Sequence, residues 1–149
     1  MSEAPLVAIV AETTIEAPIG HVWNVLTSEA TVPAWLGCID YKPQVGATFF
    51  MQQDPDLKRA RDTSGATHCT IQELTPRERF IFSWFEPGAP DTTVEFHLFP
   101  DGANSTLVRL IHSGWDQFAP DVIRPFYEEL KTRWRSSQLP ALKRAATRA

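Results

Sequence analysis

The chain has 149 residues, of which 43% are hydrophobic and 21% charged, an ordinary composition for a globular protein. This length is most simply one domain over residues 1–149, enough to bury about 70% of the surface that the unfolded chain exposes. The formal net charge of −4 argues against a nucleic-acid partner. No apolar run approaches the roughly 20 residues of a membrane-spanning helix, so we expect no membrane insertion.

The cysteines and the first residues bear on the cellular compartment. Only two cysteines occur, Cys38 and Cys69, and their spacing is not that of metal ligands, which is typical of a reduced compartment. The stretch before Glu12 lacks the basic region of a signal peptide. We therefore expect a cytoplasmic protein.

The chain begins with a predicted strand followed by two short helices. Leu6 to Glu16 alternates apolar and polar residues, which predicts a half-buried strand. Glu29 to Leu36 predicts a second short helix that ends at Gly37. Between them, Pro18 suits the first turn of a helix whose apolar stripe consists of Ile19, Val22, Trp23 and Leu26.

Five further strands follow as a predicted meander. Turn sequences such as Pro87 to Asp91 separate alternating segments at the 8–12-residue spacing typical of antiparallel sheets. The charged segment Gln53 to Gly65 is interpreted as a solvated loop, a ragged hairpin extension or a lid near a cavity mouth. The predicted strands are Gly46–Gln52, Ala66–Leu74, Arg79–Phe85, Thr92–Phe99 and Ser105–Ser113.

The remainder of the chain changes to helical period, with Phe126, Leu130 and Trp134 four residues apart. Pro140 would interrupt this helix, so we expect a kink or break between Arg135 and Pro140. A long C-terminal helix can bury its apolar side in the concave face of a curved sheet. The pattern therefore predicts an α+β fold: a curved antiparallel sheet of about six strands wrapped on the helix, with two short helices after the first strand.

Four motifs occur in order along the chain: Ile15-Glu16-Ala17-Pro18 with Val22-Trp23 and Leu26; Trp35-Leu36-Gly37; Leu74-Thr75-Pro76 with Arg79 to Trp84; and His112-Ser113-Gly114-Trp115. Together they resemble the START-like, or SRPBCC, superfamily, and more narrowly the subfamily similar to activators of the heat-shock-protein ATPase. The resemblance covers nearly the whole chain and implies a helix-grip fold with an apolar cavity between sheet and helix. The chain departs from the pattern at Gln53–Gly65, at Pro140 and at Arg133, where a glycine is often found.

Strand alternation predicts which side chains face the helix. The concave face should receive Phe49, Met51, Cys69, Ile71, Phe80, Phe82, Trp84, Val94, Phe96, Leu98, Val108, Leu110 and His112.

An apolar chamber with few polar groups is the usual form of a small-molecule site, although the same side chains could simply fill the interior. The predicted ligand-lining residues are Trp35, Phe49, Phe82, Trp84, Phe96, His112, Trp115 and Trp134.

His112 is the sharpest single candidate in the predicted chamber. It would either orient a ligand, transfer a proton, or be a core group bonded to a backbone carbonyl. His97 should face outward beside Glu95. Neither cysteine has an adjacent base and no Gly-x-Ser-x-Gly elbow occurs, so no catalytic residue is predicted. Cys69 should be buried, whereas Cys38 is either buried or reachable. The histidine spacing predicts no metal site, and no cofactor is predicted.

These patterns predict a protein that binds a small apolar or aromatic molecule, with an enzyme as the less favoured interpretation. Two alternatives remain: a polyketide cyclase or dehydratase-like enzyme using the cavity, and a chaperone accessory acting through its surface. The sequence also leaves open the possibility that the protein forms a homodimer. The surface candidate is the basic cluster Arg133, Arg135, Lys143, Arg144 and Arg148, although a solvated helix face is the favoured interpretation of this cluster.

Overall fold

A seven-stranded antiparallel sheet dominates the described part of the chain, which comprises residues 6–52, 54–86 and 89–147 of a computed structural model. The strands are β1 Ile9–Ile15, β2 Cys38–Ile39, β3 Thr48–Met51, β4 Thr67–Thr75, β5 Arg79–Trp84, β6 Thr92–Pro100 and β7 Thr106–Ser113. Their order across the sheet is β1-β7-β6-β5-β4-β3-β2. The meander from β2 to β7 therefore ends beside β1, which pairs with β7 along its whole length.

Among the described residues, helical segments lie between β1 and β2, between β3 and β4, and after β7. The α-helices are α1 Ile19–Thr27, α2 Pro55–Arg59, α3 Pro120–Arg133 and α4 Leu139–Thr147. Two π-helical turns cover Pro33–Gly37 and Trp134–Gln138, and a 3-10 turn covers Trp115–Gln117. The two short helices predicted after the first strand are therefore present, the second as a π-helical turn.

The concave face of the sheet holds the core, as strand alternation predicted. All of the side chains predicted to face it, from Phe49 in β3 to His112 in β7, are at most 5% exposed. The C-terminal helical segments cover them with Leu130, Trp134 and Leu142, while Phe126 is half-buried and its neighbour Tyr127 is buried instead. The α+β helix-grip architecture is thereby confirmed.

Two segments differ in detail from the expectation. Cys38 and Ile39, expected in a connection, form the short strand β2 against β3 and raise the strand number from six to seven. The segment predicted as a loop, hairpin or lid contains α2, because the Asp54 carboxylate accepts the N–H groups of Asp56 and Leu57 and so caps a helix that begins with Pro55.

This segment is held against the body of the protein. The Gln52 side-chain amide donates to the carbonyls of Asp62 and Ser64 at 3.0 Å each. The Lys58 ammonium donates to the Pro33 carbonyl at 2.9 Å. Gln53 lies outside the described residues. The hydrogen bonds at both ends fix the segment on the sheet edge, on the opposite side of the sheet order from β1.

The proline in the last helix has the local effect that the sequence predicted. Between α3 and α4 the chain forms a π-helical turn, in which the Leu139 N–H donates to the Trp134 carbonyl five residues back. This wider turn lies immediately before Pro140, whose ring lacks a backbone donor and crowds the preceding turn. The expected irregularity is therefore a π-helical turn within a continuous run of helix.

Some predicted features lie outside the described residues. These are Pro87 and Gly88 of the β5–β6 turn and Arg148 of the basic cluster. Nevertheless, the two strands that flank this turn pair in antiparallel register, with Trp84 opposite Thr92. Among the helices that the structure describes, none combines the length and the apolar character needed to cross a bilayer.

Gly114 allows a direct test of how the chain leaves β7. Its φ is +104°, and a Cβ added there would lie 3.2 Å from the Thr92 Cα. Gly102 also has a positive φ, +90°, but an added Cβ would meet nothing within 4 Å. Positive φ costs a non-glycine residue about 1–3 kcal/mol. We expect Gly114→Ala to lower the free energy of unfolding by more than Gly102→Ala does.

The measurement is urea-induced unfolding of both variants and the wild type, followed by circular dichroism. Gly102→Ala is the matched control, because it carries the backbone strain without the contact to another strand. Equal losses in the two variants would show that Thr92 moves aside at no cost.

Candidate functional site

A pocket of about 270 Å³ lies where the end of β5 and the start of β6 meet the 3-10 turn after β7 and the first half of α3. We call it the Trp84–Trp115 pocket. Its lining is mainly apolar and rich in aromatic rings, as is typical of small-molecule sites. The lining residues are Trp84, Glu86, Ala89, Pro90, Thr92, Trp115, Phe118, Ile123 and Phe126.

Three larger clefts are more polar. The smallest of these, of about 360 Å³, is lined by residues such as Thr70 and Ser83. The two others contain paired charged groups. One of about 570 Å³, beside β2, includes the exposed ion pairs Lys42–Glu29 at 3.1 Å and Arg61–Asp40 at 3.4 Å. The other, of about 440 Å³, follows β1, and its Arg135 guanidinium donates to the Val10 carbonyl. Charged groups that are exposed and already paired offer little to an apolar ligand, so the Trp84–Trp115 pocket is the better candidate.

Strand register and one glycine assemble the pocket. Trp84 and Thr92 are directly opposite each other in the β5–β6 ladder, so both side chains lie on the concave face. Gly114, at φ +104°, turns the chain from β7 into the 3-10 turn that begins with Trp115. Ile123 and Phe126 are three residues apart on α3 and so share one helix face.

Trp84 carries a buried polar group without a partner. The residue is 3% exposed, and among the described residues its indole Nε1–H has no hydrogen-bond acceptor. The carbonyl of Trp84 is engaged differently, since it accepts from the Thr92 hydroxyl at 3.4 Å. Buried indole N–H groups usually find an acceptor. This donor is therefore the unusual polar group among the described buried residues, and it is enclosed by its neighbours.

His112 lies behind the pocket in a chain of hydrogen bonds. The Trp134 Nε1–H can only donate, and it lies 3.2 Å from His112 Nδ1, so that nitrogen must accept. The proton of the neutral ring is then on Nε2, which donates to the Thr92 hydroxyl at 2.7 Å. Thr92 in turn donates to the Trp84 carbonyl. The imidazole is fully satisfied by protein groups.

Burial also fixes the charge of His112. The residue is 0% exposed, and desolvation lowers the pKa of its imidazole from 6.5 to about 3. A neutral ring with both nitrogens engaged is a poor general base near neutral pH. Of the sequence alternatives for His112, the satisfied core group is the one observed, with Thr92 and Trp134 as partners instead of a backbone carbonyl.

The charge on the pocket wall is negative. Glu86 is half-buried, and its carboxylate accepts a hydrogen bond from the Thr67 hydroxyl at 2.6 Å. The described residues that line the pocket include no lysine or arginine. A bound molecule would therefore meet aromatic rings and the Glu86 side chain.

The structure brings together the eight residues predicted to line a chamber, but their side chains pack against one another. All are at most 4% exposed. Their rings form a continuous set of contacts, with centroid distances of 5.8 Å for Trp35–Phe96, 5.2 Å for Phe49–Phe82, 6.3 Å for Phe82–Phe96, 6.0 Å for Phe96–Trp134, 5.7 Å for Trp84–Trp134, 5.3 Å for Trp84–His112 and 4.7 Å for His112–Trp115. Of the eight, Trp84 and Trp115 line the Trp84–Trp115 pocket.

The other candidate groups lie away from this pocket. Both cysteines are fully buried; desolvation raises the pKa of the Cys38 thiol to about 12 and that of Cys69 well above its usual value. His97 pairs with Glu95 at 3.0 Å, as predicted. Within the described residues, no group of three or more His, Cys, Asp or Glu side chains is arranged to hold a metal ion.

Sequence reasoning missed several wall residues. Thr92 has the same strand parity as Val94 and Phe96, so its inward direction could have been predicted. Phe118 and Ile123 lie beyond the last strand, where no periodicity relates them to the sheet. Glu86 follows the end of β5 and lacks such a signal too.

The buried His112 predicts acid sensitivity. Its folded pKa of about 3 lies below the unfolded value of about 6.5, so the unfolded chain takes up the proton first. The free energy of unfolding is therefore at its full value above pH 6.5, as far as His112 is concerned. It falls by about 1.4 kcal/mol per pH unit as the pH falls toward 3. We expect His112→Gln, which does not titrate, to flatten the dependence of stability on pH between 6.5 and 4.

The measurement is the free energy of unfolding in urea at several pH values. Leu110→Ala, at a buried and non-titrating position of the same strand as His112, should lower the free energy of unfolding at every pH and keep the wild-type slope. Parallel pH profiles for the wild type and His112→Gln would contradict the assignment.

Comparison with known proteins places the chain in a family. Residues 16–136 match the family model described as Activator of Hsp90 ATPase homolog 1-like protein. No curated protein matches the chain significantly. Among solved structures, protein MLL2253 from Mesorhizobium loti is 26% identical with a TM-score of 0.75, over 93% of this chain and 95% of that chain.

Two further structures share the fold at lower identity. PFC0360w, described as an HSP90 activator from Plasmodium falciparum, is 15% identical with a TM-score of 0.72, over 93% of this chain and 94% of that chain. The Aha1 dimer from Colwellia psychrerythraea is 19% identical with a TM-score of 0.59, over 88% of this chain and 98% of that chain. Because the family model spans residues 16–136, well over half of the sequence, the chain belongs to the family of Activator of Hsp90 ATPase homolog 1-like proteins.

Proposed function

We propose that this protein binds a small apolar or aromatic molecule in the Trp84–Trp115 pocket. The observation that carries the proposal is an apolar pocket walled by Trp84, Trp115, Phe118, Ile123 and Phe126 at the open end of the sheet–helix interface. Aromatic walls supply large contact areas and favour ring-shaped ligands. The volume of about 270 Å³ is just below the roughly 300–1,000 Å³ of drug-sized sites, which suits a ligand of one or two fused rings.

The proposed site lies at the end of the sheet–helix interface, whereas the sequence predicted a site at its centre. Phe49, Phe82 and Phe96 pack against other rings at 5–6 Å and are completely buried, so they support the pocket from behind. Trp84 and Trp115 have one side in this packed cluster and line the pocket as well. A ligand in the pocket would therefore extend the aromatic cluster outward.

A pocket-filling substitution tests the proposal. Ile123 is half-buried and lines the pocket, so the indole of Ile123→Trp should occupy the space that a ligand would take. Val122, its neighbour on α3, is 75% exposed and does not belong to the lining. Val122→Trp is the matched control, with the same new side chain one position away on the solvent side.

The probes are tetralin and 1-tetralone, bicyclic compounds of suitable size, with binding measured by isothermal titration calorimetry. We expect Ile123→Trp to weaken binding at least tenfold, and Val122→Trp to leave it within about twofold of the wild type, since one well-placed apolar group changes affinity by about 1–3 kcal/mol. Binding of neither probe by the wild type would refute a pocket for bicyclic ligands. Equal binding by all three proteins would place the ligand elsewhere.

The other two functions predicted from the sequence remain proposals, and each would use a different set of residues from the one predicted. A cyclase-like enzyme would have to use Glu86 for proton transfer, because His112 is neutral and engaged behind the wall. A chaperone accessory would use Lys143 and Arg144, which are exposed. Arg133 is paired with Glu129, Arg135 donates to the Val10 carbonyl, and Arg148 lies outside the described residues.

The solved relatives support these alternatives only at the level of fold. The likeness to the Plasmodium falciparum activator is at 15% identity. A homodimer, as named for the Colwellia psychrerythraea protein, likewise remains a proposal for this chain. No contact among the described residues favours either alternative over ligand binding in the Trp84–Trp115 pocket.

A further inference from the structure

We infer that the ligand of the Trp84–Trp115 pocket is a ring compound that carries a positive charge, such as an N-alkylated heteroaromatic cation. The inference rests on the proposed function and adds the chemical class of the ligand. Two features of the pocket carry it. Several aromatic rings border the same space, and the charged residues in and beside the lining are mostly acidic.

Aromatic rings form much of the pocket lining. The centroid of the Trp115 ring lies 6.1 Å from that of Phe118 and 6.2 Å from that of Phe126. The angles between the ring planes are 40° and 60°, so neither pair is stacked face to face. All three residues line the pocket together with Trp84. Because the face of an aromatic ring is the negative part of its quadrupole, several rings around one space favour an organic cation.

Glu86 is the charged residue among the described residues of the lining, and its carboxylate lies on the concave side of the sheet. That carboxylate accepts a hydrogen bond from the Thr67 hydroxyl at 2.6 Å. Thr67 is 8% exposed and has the same strand parity as the buried Cys69, so its side chain points to the concave side. The pocket lies on this side too, since Trp84 and Thr92 belong to its wall.

The small size of the pocket lets this charge act on a ligand without direct contact. A sphere of about 270 Å³ is about 8 Å across, which is close to the Debye length at physiological ionic strength. Salt therefore screens a charge on the wall only in part. The packed rings also keep the local dielectric constant below that of water, which strengthens the attraction between Glu86 and a bound cation.

The residues next to the lining add to the negative charge. Within two positions of a lining residue along the chain there are one base, Arg124, and five acids, which are Glu86, Asp91, Asp116, Asp121 and Glu128. The acids other than Glu86 are exposed, so each contributes weakly through solvent. Their common sign nevertheless attracts cations to this end of the sheet and disfavours carboxylate ligands.

The test compares two probes of nearly the same shape, N-methylquinolinium with a permanent positive charge and 1-methylnaphthalene without a charge. We expect the wild type to bind the cation about tenfold more tightly, because of the ring faces and the nearby carboxylate. Glu86→Gln removes the charge but keeps an oxygen that can accept from the Thr67 hydroxyl. In this variant the preference for the cation should fall about fivefold, as expected for one half-buried charge.

Isothermal titration calorimetry gives the affinities, and circular dichroism checks that each variant folds. Glu78→Gln is the matched control, because it removes the same charge in the turn at the opposite end of β5 from the pocket. It should leave the preference within about twofold of the wild type, since the distance and the salt screen this charge. Ile123→Trp, which fills the pocket, should weaken binding of both probes.

The outcomes separate this inference from the proposed function. If both probes bind in the pocket with equal affinity, or if Glu86→Gln leaves the preference unchanged, the inference is overturned while ligand binding in the pocket stands. The inference is also wrong if 1-naphthoate binds as tightly as N-methylquinolinium, or if Ile123→Trp leaves binding of the cation unchanged. If neither probe binds the wild type, the proposed function fails together with the inference.

Discussion

The structure depends on burying one apolar stripe of the C-terminal helical segments in the concave face of the sheet. Leu130, Trp134 and Leu142 provide this stripe, and the side chains opposite them are almost completely buried. Each large side chain that faces inward must pack against its neighbours at the density typical of protein interiors. This requirement turns the centre of the sheet–helix interface into a packed aromatic cluster, and the Trp84–Trp115 pocket lies beside that cluster.

A chain of hydrogen bonds links the core to the pocket wall. Hydrogen bonds run from Trp134 to His112, then from His112 to Thr92. Thr92 in turn donates to the backbone carbonyl of Trp84. The chain of bonds links the π-helical turn with three strands. A buried network of this kind is stable only when each member has a partner and the imidazole stays neutral. His112 therefore fixes the orientation of Thr92 and, directly or through Thr92, of Trp134 and Trp84. These residues give the pocket a rigid inner wall.

The candidate site was only partly predictable for a specific reason. Alternation identified which side chains point inward, and it placed Trp84 and His112 correctly on the concave face. It could not tell whether inward-facing rings line space or fill it, because that depends on how closely the helix approaches. Nor could it find Phe118 or Ile123, which reach the pocket through the geometry of the turn after Gly114.

By itself the sequence determined the α+β class, the meander, the long C-terminal helix and the irregularity before Pro140, because these follow from local periodicity and from the missing proline donor. The motifs also indicated the family that residues 16–136 match. Only the tertiary structure decided that β1 pairs with β7, and that both nitrogens of His112 are bonded to Thr92 and Trp134. It also decided that the Trp84 N–H has no partner among the described residues. These features join residues far apart in the chain, and their hydrogen bonds depend on distances that no local pattern encodes.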